Sequence, residues 1–257
     1  MLEINYIHNM DCLDGLKEIP DNSVDLALSD PPYKVSQNYG GGADADNLVA
    51  VASILRTFPE ICRVLKQGGF FVCFYDNRIL PFLFEAIKGT GLVYRKSIYL
   101  YRKWGNANRW MGWMQTTDPV CFFVKGHDKS FLPEGIRGKV KHDVYIKSKP
   151  EAENTGHPAQ KPLEILKDII IWCSPDNGLV LDPYMGSGST AVAAKLSCRR
   201  FVGFEKDKEY CTQANLRVEQ TQITQSDKQE QLSEVKVADG TPTTTDGIPP
   251  NNTNRNP

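Results

Sequence analysis

The stretch from Leu179 to Glu205 leaves the chain few ways to fold. Leu179-Val180-Leu181 has the character of a short buried strand, and Asp182-Pro183-Tyr184-Met185-Gly186-Ser187-Gly188-Ser189 follows as a small-residue turn. Thr190 to Leu196 reads as a helix and Phe201 to Phe204 as a second strand, closed by Glu205. A strand, a covering helix and a second strand in this order form a parallel pair. Glycines in the turn let the backbone approach a ligand closely, and the N–H groups at the helix start favour an anionic group. An acidic residue ending the second strand, about 20 residues past the glycines, is the usual partner of ribose hydroxyls. Gly-x-Gly alone occurs in many α/β turns, but the whole order of elements points to a nucleoside-bearing cofactor. No Gly-Lys-Ser/Thr follows the glycines, which disfavours a nucleoside triphosphate.

A second constellation lies near the N-terminus, where Asp30-Pro31-Pro32-Tyr33 directly follows the apolar run Val24 to Leu28. Ligands of open α/β sheets bind outside the carboxyl ends of the strands. Asp30 can accept a hydrogen bond from an amine, and the prolines lack N–H groups and stiffen the turn. The Pro31 carbonyl is then a second acceptor, and Tyr33 offers a ring face for stacking. Two acceptors and a ring suit the amino group of a nucleobase; the same tetrapeptide alone is equally an ordinary strand-ending turn.

Together these stretches resemble the amino-group DNA methyltransferases that use S-adenosylmethionine. The order, with Asp-Pro-Pro-Tyr first and the glycine loop late, is similar to the permuted β group of that family. His8-Asn9-Met10-Asp11-Cys12 with Leu16, Leu65-Lys66-Gln67-Gly68-Gly69 before the apolar run Phe70 to Tyr75, and His157-Pro158-Ala159-Gln160-Lys161-Pro162-Leu163 match further family motifs in the same order. The resemblance covers about residues 1–220.

It implies an α/β fold: a doubly wound, mostly parallel, seven-stranded Rossmann-like sheet with one antiparallel strand. Patterning agrees. Strands are expected at 3–7, 24–28, 70–75, 93–101, 120–124, 179–181 and 201–204. Helices are expected at 13–18, 46–65, 77–88, 162–173, 190–196 and 206–220. The expected organisation is a catalytic domain over 1–220, with a short target-recognition segment at 126–156. Residues 221–257, rich in Thr, Pro, Asn, Gln and Asp and without aromatics, are expected to be a disordered tail.

The resemblance assigns catalysis to Asp30, Pro31, Pro32 and Tyr33. It places Asp182, Tyr184, Gly186, Ser187, Gly188 and Ser189 against the methionine part of S-adenosylmethionine, and Glu205 on the ribose. Tyr184 stands where the family commonly has Phe. Asp11 and Cys12 would read the adenine edge of the cofactor, and Lys161 with His157 would meet the methionine carboxylate. Taken without the family, Asp11 is a helix N-cap, His157 a surface histidine and Lys161 a solvated cation. Asp at the head of the catalytic motif points to the adenine N6 amino group, whereas Ser there would point to cytosine N4; enzymes acting on RNA or protein commonly lead with Asn.

Charge patterning points to duplex DNA as the partner. The chain carries a net charge of −1, but residues 94–149 hold 12 Lys or Arg against 4 Asp or Glu, together with Trp104, Trp110 and Trp113. Arg102, Lys103, Arg109, Arg137, Lys139 and Lys141 are the candidate phosphate contacts; cations interleaved with aromatics suit phosphate contact and base stacking. A solvated polar face is the plainer alternative. Tyr99, Tyr101 and Trp104 are candidates for a second wall around an extruded base. No run approaches a membrane span, no charged-then-apolar leader is visible, and the seven cysteines form no Cys-x-x-Cys pair. A cytoplasmic protein with reduced packing cysteines and no metal site is expected. A homodimer stays open. A dinucleotide-dependent oxidoreductase would explain the glycine loop and Glu205 but leaves Asp-Pro-Pro-Tyr without a role. A catalytically idle relative is the remaining reading.

Overall fold

The computed structural model describes residues 2–31, 43–107, 114–126, 142–146 and 161–224, with the backbone alone for 43–50, 78, 102–107 and 114–115. Among these residues the chain runs β1 (Tyr6–Asn9), α1 (Cys12–Glu18), β2 (Val24–Ser29), α2 (Ala43–Val64) and β3 (Leu65–Phe74). A 3₁₀ turn (Asn77–Ile79), α3 (Leu80–Ile87), β4 (Leu92–Ala107), β5 (Met114–Lys125) and β6 (Val144–Ile146) follow. The chain then closes with α4 (Leu163–Cys173), β7 (Leu179–Asp182), α5 (Ser189–Leu196), β8 (Arg200–Glu205) and α6 (Lys208–Gln220). The strands form one sheet in the order β1-β8-β7-β2-β3-β5-β4-β6. Only β5 runs antiparallel to its neighbours, pairing with β3 and β4.

The central strands β2 and β7 are buried along their whole length, as strands covered on both faces must be. One face packs Leu16, Ile54, Phe58, Ile61 and Leu83 of α1–α3 on Ala27, Phe71 and Phe123. The other packs Ile165, Ile169, Ile170, Val192 and Ala214 of α4–α6 on Leu26, Val72 and Val180. The crossover after β2 therefore covers one face and the crossover after β7 the other. β2 and β7 are neighbours, so the crevice where crossovers diverge opens between their carboxyl ends, the place where such sheets bind ligands.

The fold departs from the sequence expectation in several places: β3 begins at Leu65 rather than Phe70, β4 runs on to Ala107 rather than ending at Tyr101, and four further differences have a local physical cause. The sheet has eight strands rather than seven, because Val144–Ile146 adds an edge strand parallel to β4 within the expected recognition segment. β1 begins at Tyr6, since Asn5 sits at φ +64° and makes two hydrogen bonds to the Phe201 backbone. β5 begins well before Val120 and runs through Pro119. The Pro119 carbonyl accepts from Tyr75 N–H (3.2 Å) one residue past the end of β3, so the proline's missing N–H falls at the end of that ladder. α6 starts at Lys208 because Asp207 caps it, accepting from Glu209 N–H (2.8 Å) and Tyr210 N–H (3.0 Å). No helix among the described residues is long and apolar enough to cross a membrane. The expected tail lies outside the described residues from 225 onward.

Candidate active site

Asp30 follows the last residue of β2 and Asp182 is the last residue of β7, so both carboxylates stand at the mouth of the crevice. Pro31 is buried behind Asp30, and Pro32 and Tyr33 lie outside the described residues. Lys161, just before Pro162 and α4, pairs with Asp30. Its ammonium also sits 5.2 Å from the centroid of the Phe74 ring at the end of β3.

The glycine loop is shaped by close backbone approach. Met185 N–H donates to the Phe204 carbonyl (2.9 Å) and Gly188 N–H to the Met185 carbonyl (3.0 Å). Gly188 has φ +77°, and a Cβ there would lie 2.9 Å from Ala214 Cβ, so the position tolerates no side chain. Ser189 starts α5, and its hydroxyl lies 3.0 Å from that of Ser187. Glu205, at the end of β8, accepts from Gly186 N–H on one carboxylate oxygen and from Asp207 N–H on the other, each at 2.8 Å. Each oxygen keeps a lone pair for a further donor.

β1 and β8 pair through Asn9 and Glu205, and Asn9 Nδ2 donates to the carbonyls of Glu205 (3.0 Å) and Lys206 (3.1 Å). Asp11 and Cys12 therefore lie beside Glu205 at adjoining strand ends. Asp11 caps α1, accepting from Leu13 N–H (2.9 Å), and its other oxygen is 3.9 Å from Lys206 Nζ. The N-cap reading of Asp11 is thus correct, and it leaves that second oxygen facing the strand ends. Burial raises the Cys12 thiol, Asp11 adds to the rise, and a hydrogen bond with Tyr184 opposes it.

Asp182 is the most perturbed acid of the crevice. Burial pushes its carboxyl from 3.8 up to about 7; hydrogen bonds from Thr190 and Tyr184 N–H oppose the rise, and Asp30 and Glu205 reinforce it. The folded protein therefore holds a proton here across a pH range where the unfolded chain has released it. The stability contribution of this group is present at acid pH and is lost as pH rises toward and through 7. Asp182→Asn, which can still accept both hydrogen bonds, is expected to raise the melting temperature at pH 8 and to do so much less at pH 5.5. Melts of both proteins at the two values check this; an equal shift at both would contradict it.

Three residues without a local sequence signal complete the loop. Tyr184 Oη lies 2.5 Å from Ser53 Oγ and donates to Thr57 Oγ1 at 3.1 Å, tying the loop to α2. Arg217 of α6 donates to the Ser187 carbonyl (3.1 Å) and to Ser189 Oγ (2.9 Å) from behind. The Tyr184 hydroxyl is thus an anchor between the loop and α2. Tyr184→Phe is expected to destabilise the protein by about 1 kcal/mol, measured by urea unfolding.

Known proteins resemble this chain in sequence and in fold. A family model for N6/N4-type DNA methylases matches residues 24–216. The chain belongs to that DNA methylase family. Type II methyltransferase M1.MboII of Moraxella bovis is 26% identical over 87% of this chain and all of its own length. DNA adenine methyltransferase YhdJ of Escherichia coli is 28% identical over 81% of this chain and 80% of its own. The crystal structure of the M1.HpyAVI–SAM complex superimposes with a TM-score of 0.65 and 26% identity, over 83% of this chain and 98% of the other. PvuII DNA methyltransferase, cytosine-N4-specific, shares the fold with a TM-score of 0.69 at 19% identity, over 91% and 95%.

In this methylase the crevice brings Asp30, Lys161, Asp182 and the glycine loop together, with Asp11, Cys12 and Glu205 beside them. Of the expected DNA contacts, Arg102 and Lys103 fall on the β4 backbone, and Arg109, Arg137, Lys139 and Lys141 lie outside the described residues, as does His157. Tyr99 and Tyr101 are exposed on β4, beyond the buried Tyr75, whose hydroxyl is raised chiefly by burial and hydrogen-bonds with Ser97 and Cys121.

Proposed function

We propose that this methylase is a cytoplasmic enzyme that transfers a methyl group from S-adenosylmethionine to the N6 amino group of adenine in duplex DNA, with the target base flipped out of the helix. The observation that carries the reading is Asp30, held at the switch-point crevice beside a glycine loop and an acid-rich cofactor pocket. When bound, S-adenosylmethionine supplies the methyl group on a sulfonium and leaves as the neutral thioether. A ligand with a sulfonium and an ammonium suits a pocket bearing Asp30, Asp182 and Glu205, and its positive charge would draw the proton from Asp182.

The chain's own residues supply position and electrostatics. Asp30 and the Pro31 carbonyl accept the two N–H bonds of the base, which turns the nitrogen lone pair toward the methyl group. With the methyl donor bound, this alignment would aim the lone pair at its methyl carbon, and Asp30 or water would take the extra proton from the nitrogen after transfer. No covalent enzyme intermediate is needed, so alignment in a site shielded from water carries the rate. Glu205 would accept from the ribose hydroxyls on its remaining lone pairs, Asp11 and the Cys12 backbone would read the cofactor adenine, and Tyr184 with Gly186 to Ser189 would wall the methionine moiety. His157 would assist at its carboxylate. Tyr33 would stack on the flipped base, with Tyr99, Tyr101 or Trp104 as the opposite wall. Arg102, Lys103, Arg109, Arg137, Lys139 and Lys141 would meet phosphates.

Asp rather than Ser at the head of the catalytic motif favours adenine, and the relative named as a DNA adenine methyltransferase adds support. The test is expression in a bacterial host that lacks its own DNA methylases, followed by digestion of plasmid DNA and mass spectrometry of the nucleosides. N6-methyladenine is expected. N4-methylcytosine would keep the fold and the transfer chemistry and overturn the base assignment.

A further inference from the structure

Lys161 holds a place that the family resemblance does not explain. The resemblance assigns it to the cofactor carboxylate, yet in the structure its ammonium pairs with Asp30, 131 residues away in sequence. The pair is largely shielded: Lys161 is 19% exposed and Asp30 26%. The Phe74 ring, 5.2 Å from the ammonium, backs it from the end of β3; a cation over an aromatic face is held more firmly as water is withdrawn. Cys73, buried beneath, registers both partners. Burial raises its thiol first and Cys121 next, after which Asp30 raises it and Lys161 lowers it.

The backbone presents Lys161 from a fixed point. Pro162 follows it as the N-cap of α4, at φ −62° and ψ 135°, and a residue before proline is confined to extended conformations. α4 in turn is anchored by Ile165, Leu166, Ile169 and Ile170 in the core. A lysine carried on a rigid stem and pressed between a ring and a carboxylate has lost much of the rotamer freedom of an exposed lysine. The contact engages Asp30 Oδ2, so it restrains the rotation of that carboxylate.

We propose that Lys161 is a positioning residue for the transfer reaction, holding the Asp30 carboxylate in the orientation that receives the target amine. The proposal rests on the reading of Asp30 as the amine-holding carboxylate. It deepens that reading by giving the lysine a role in kcat rather than in cofactor affinity. Misaligning an acceptor by a fraction of its own size is costly in rate because the reacting geometry is narrow.

The test combines Lys161→Met with Asp30→Asn in a double-mutant cycle on the full chain. Each protein is assayed for saturated methyl transfer to duplex DNA and for S-adenosylhomocysteine binding by calorimetry. Lys161→Met is expected to lower kcat by roughly tenfold to hundredfold and to leave the S-adenosylhomocysteine Kd within about threefold. In the Asp30→Asn background, Lys161→Met is expected to lower kcat no further, because the lysine acts through Asp30. A tenfold or greater loss of S-adenosylhomocysteine affinity would make Lys161 a cofactor ligand and overturn the proposal. Unchanged kcat, or a loss that repeats in full in the Asp30→Asn background, would overturn it equally. Failure of the wild-type protein to bind S-adenosylhomocysteine would instead strike the cofactor reading itself.

Discussion

Asp30→Ala is expected to lower the single-turnover rate of methyl transfer by at least about a hundredfold, with S-adenosylhomocysteine affinity within about threefold of wild type. The exocyclic nitrogen of adenine is a poor nucleophile because its lone pair is delocalised into the ring. On the proposed reading Asp30 and the Pro31 carbonyl counter this by gripping both N–H bonds, and alanine removes the charged half of that grip. The core should stay in place, since Asp30 projects from the end of β2 into the crevice; the cost to the fold is that of taking the partner carboxylate from the shielded Lys161 ammonium. A rate within tenfold of wild type, in a protein with a normal melting temperature, would remove Asp30 from the chemistry.

Glu205→Ala is expected to weaken cofactor binding by roughly a hundredfold, the equivalent of losing one to two hydrogen bonds to a charged acceptor. The carboxylate braces the glycine loop through Gly186 N–H and receives Asp207 N–H at the foot of α6, so its loss would remove the proposed ribose contacts and also loosen the loop proposed to meet the methionine. Calorimetric titration with S-adenosylhomocysteine measures it. The kcat at saturating cofactor should fall far less than in Asp30→Ala, because Glu205 touches no reacting atom. Wild-type affinity in Glu205→Ala would move the cofactor away from the β8 end.

The places of both residues at strand ends were legible in the sequence, because each closes an apolar strand and is followed by a turn, a pattern written in a dozen adjacent residues. The same holds for the glycine loop and for the alternation that gave the parallel sheet. What escaped notice is what folding brings together over long separations. Ser53 and Thr57 carry no mark of meeting Tyr184, which lies more than a hundred residues on. The Lys161–Asp30 pair likewise joins two motifs that sequence could only order. β6 was missed because Val144-Tyr145-Ile146 is too short to show a period. The start of β5 was missed because Pro119 argues against a strand unless the neighbouring edge is known to stop. Asp11 shows a third limit: the residue caps α1 through one carboxylate oxygen, and the cap leaves the other oxygen available for the proposed cofactor contact, so the two readings do not exclude each other.

The measurement that bears most directly on the account is the transfer of tritium from methyl-labelled S-adenosylmethionine by the purified protein, offered in parallel mixed-sequence duplex DNA, RNA of the same sequence and a protein extract. The account predicts label in the duplex DNA, recovered as N6-methyladenosine's deoxy form, and its loss with Asp30→Ala. Label in RNA or protein but not in DNA, or transfer to DNA that survives Asp30→Ala, would contradict it.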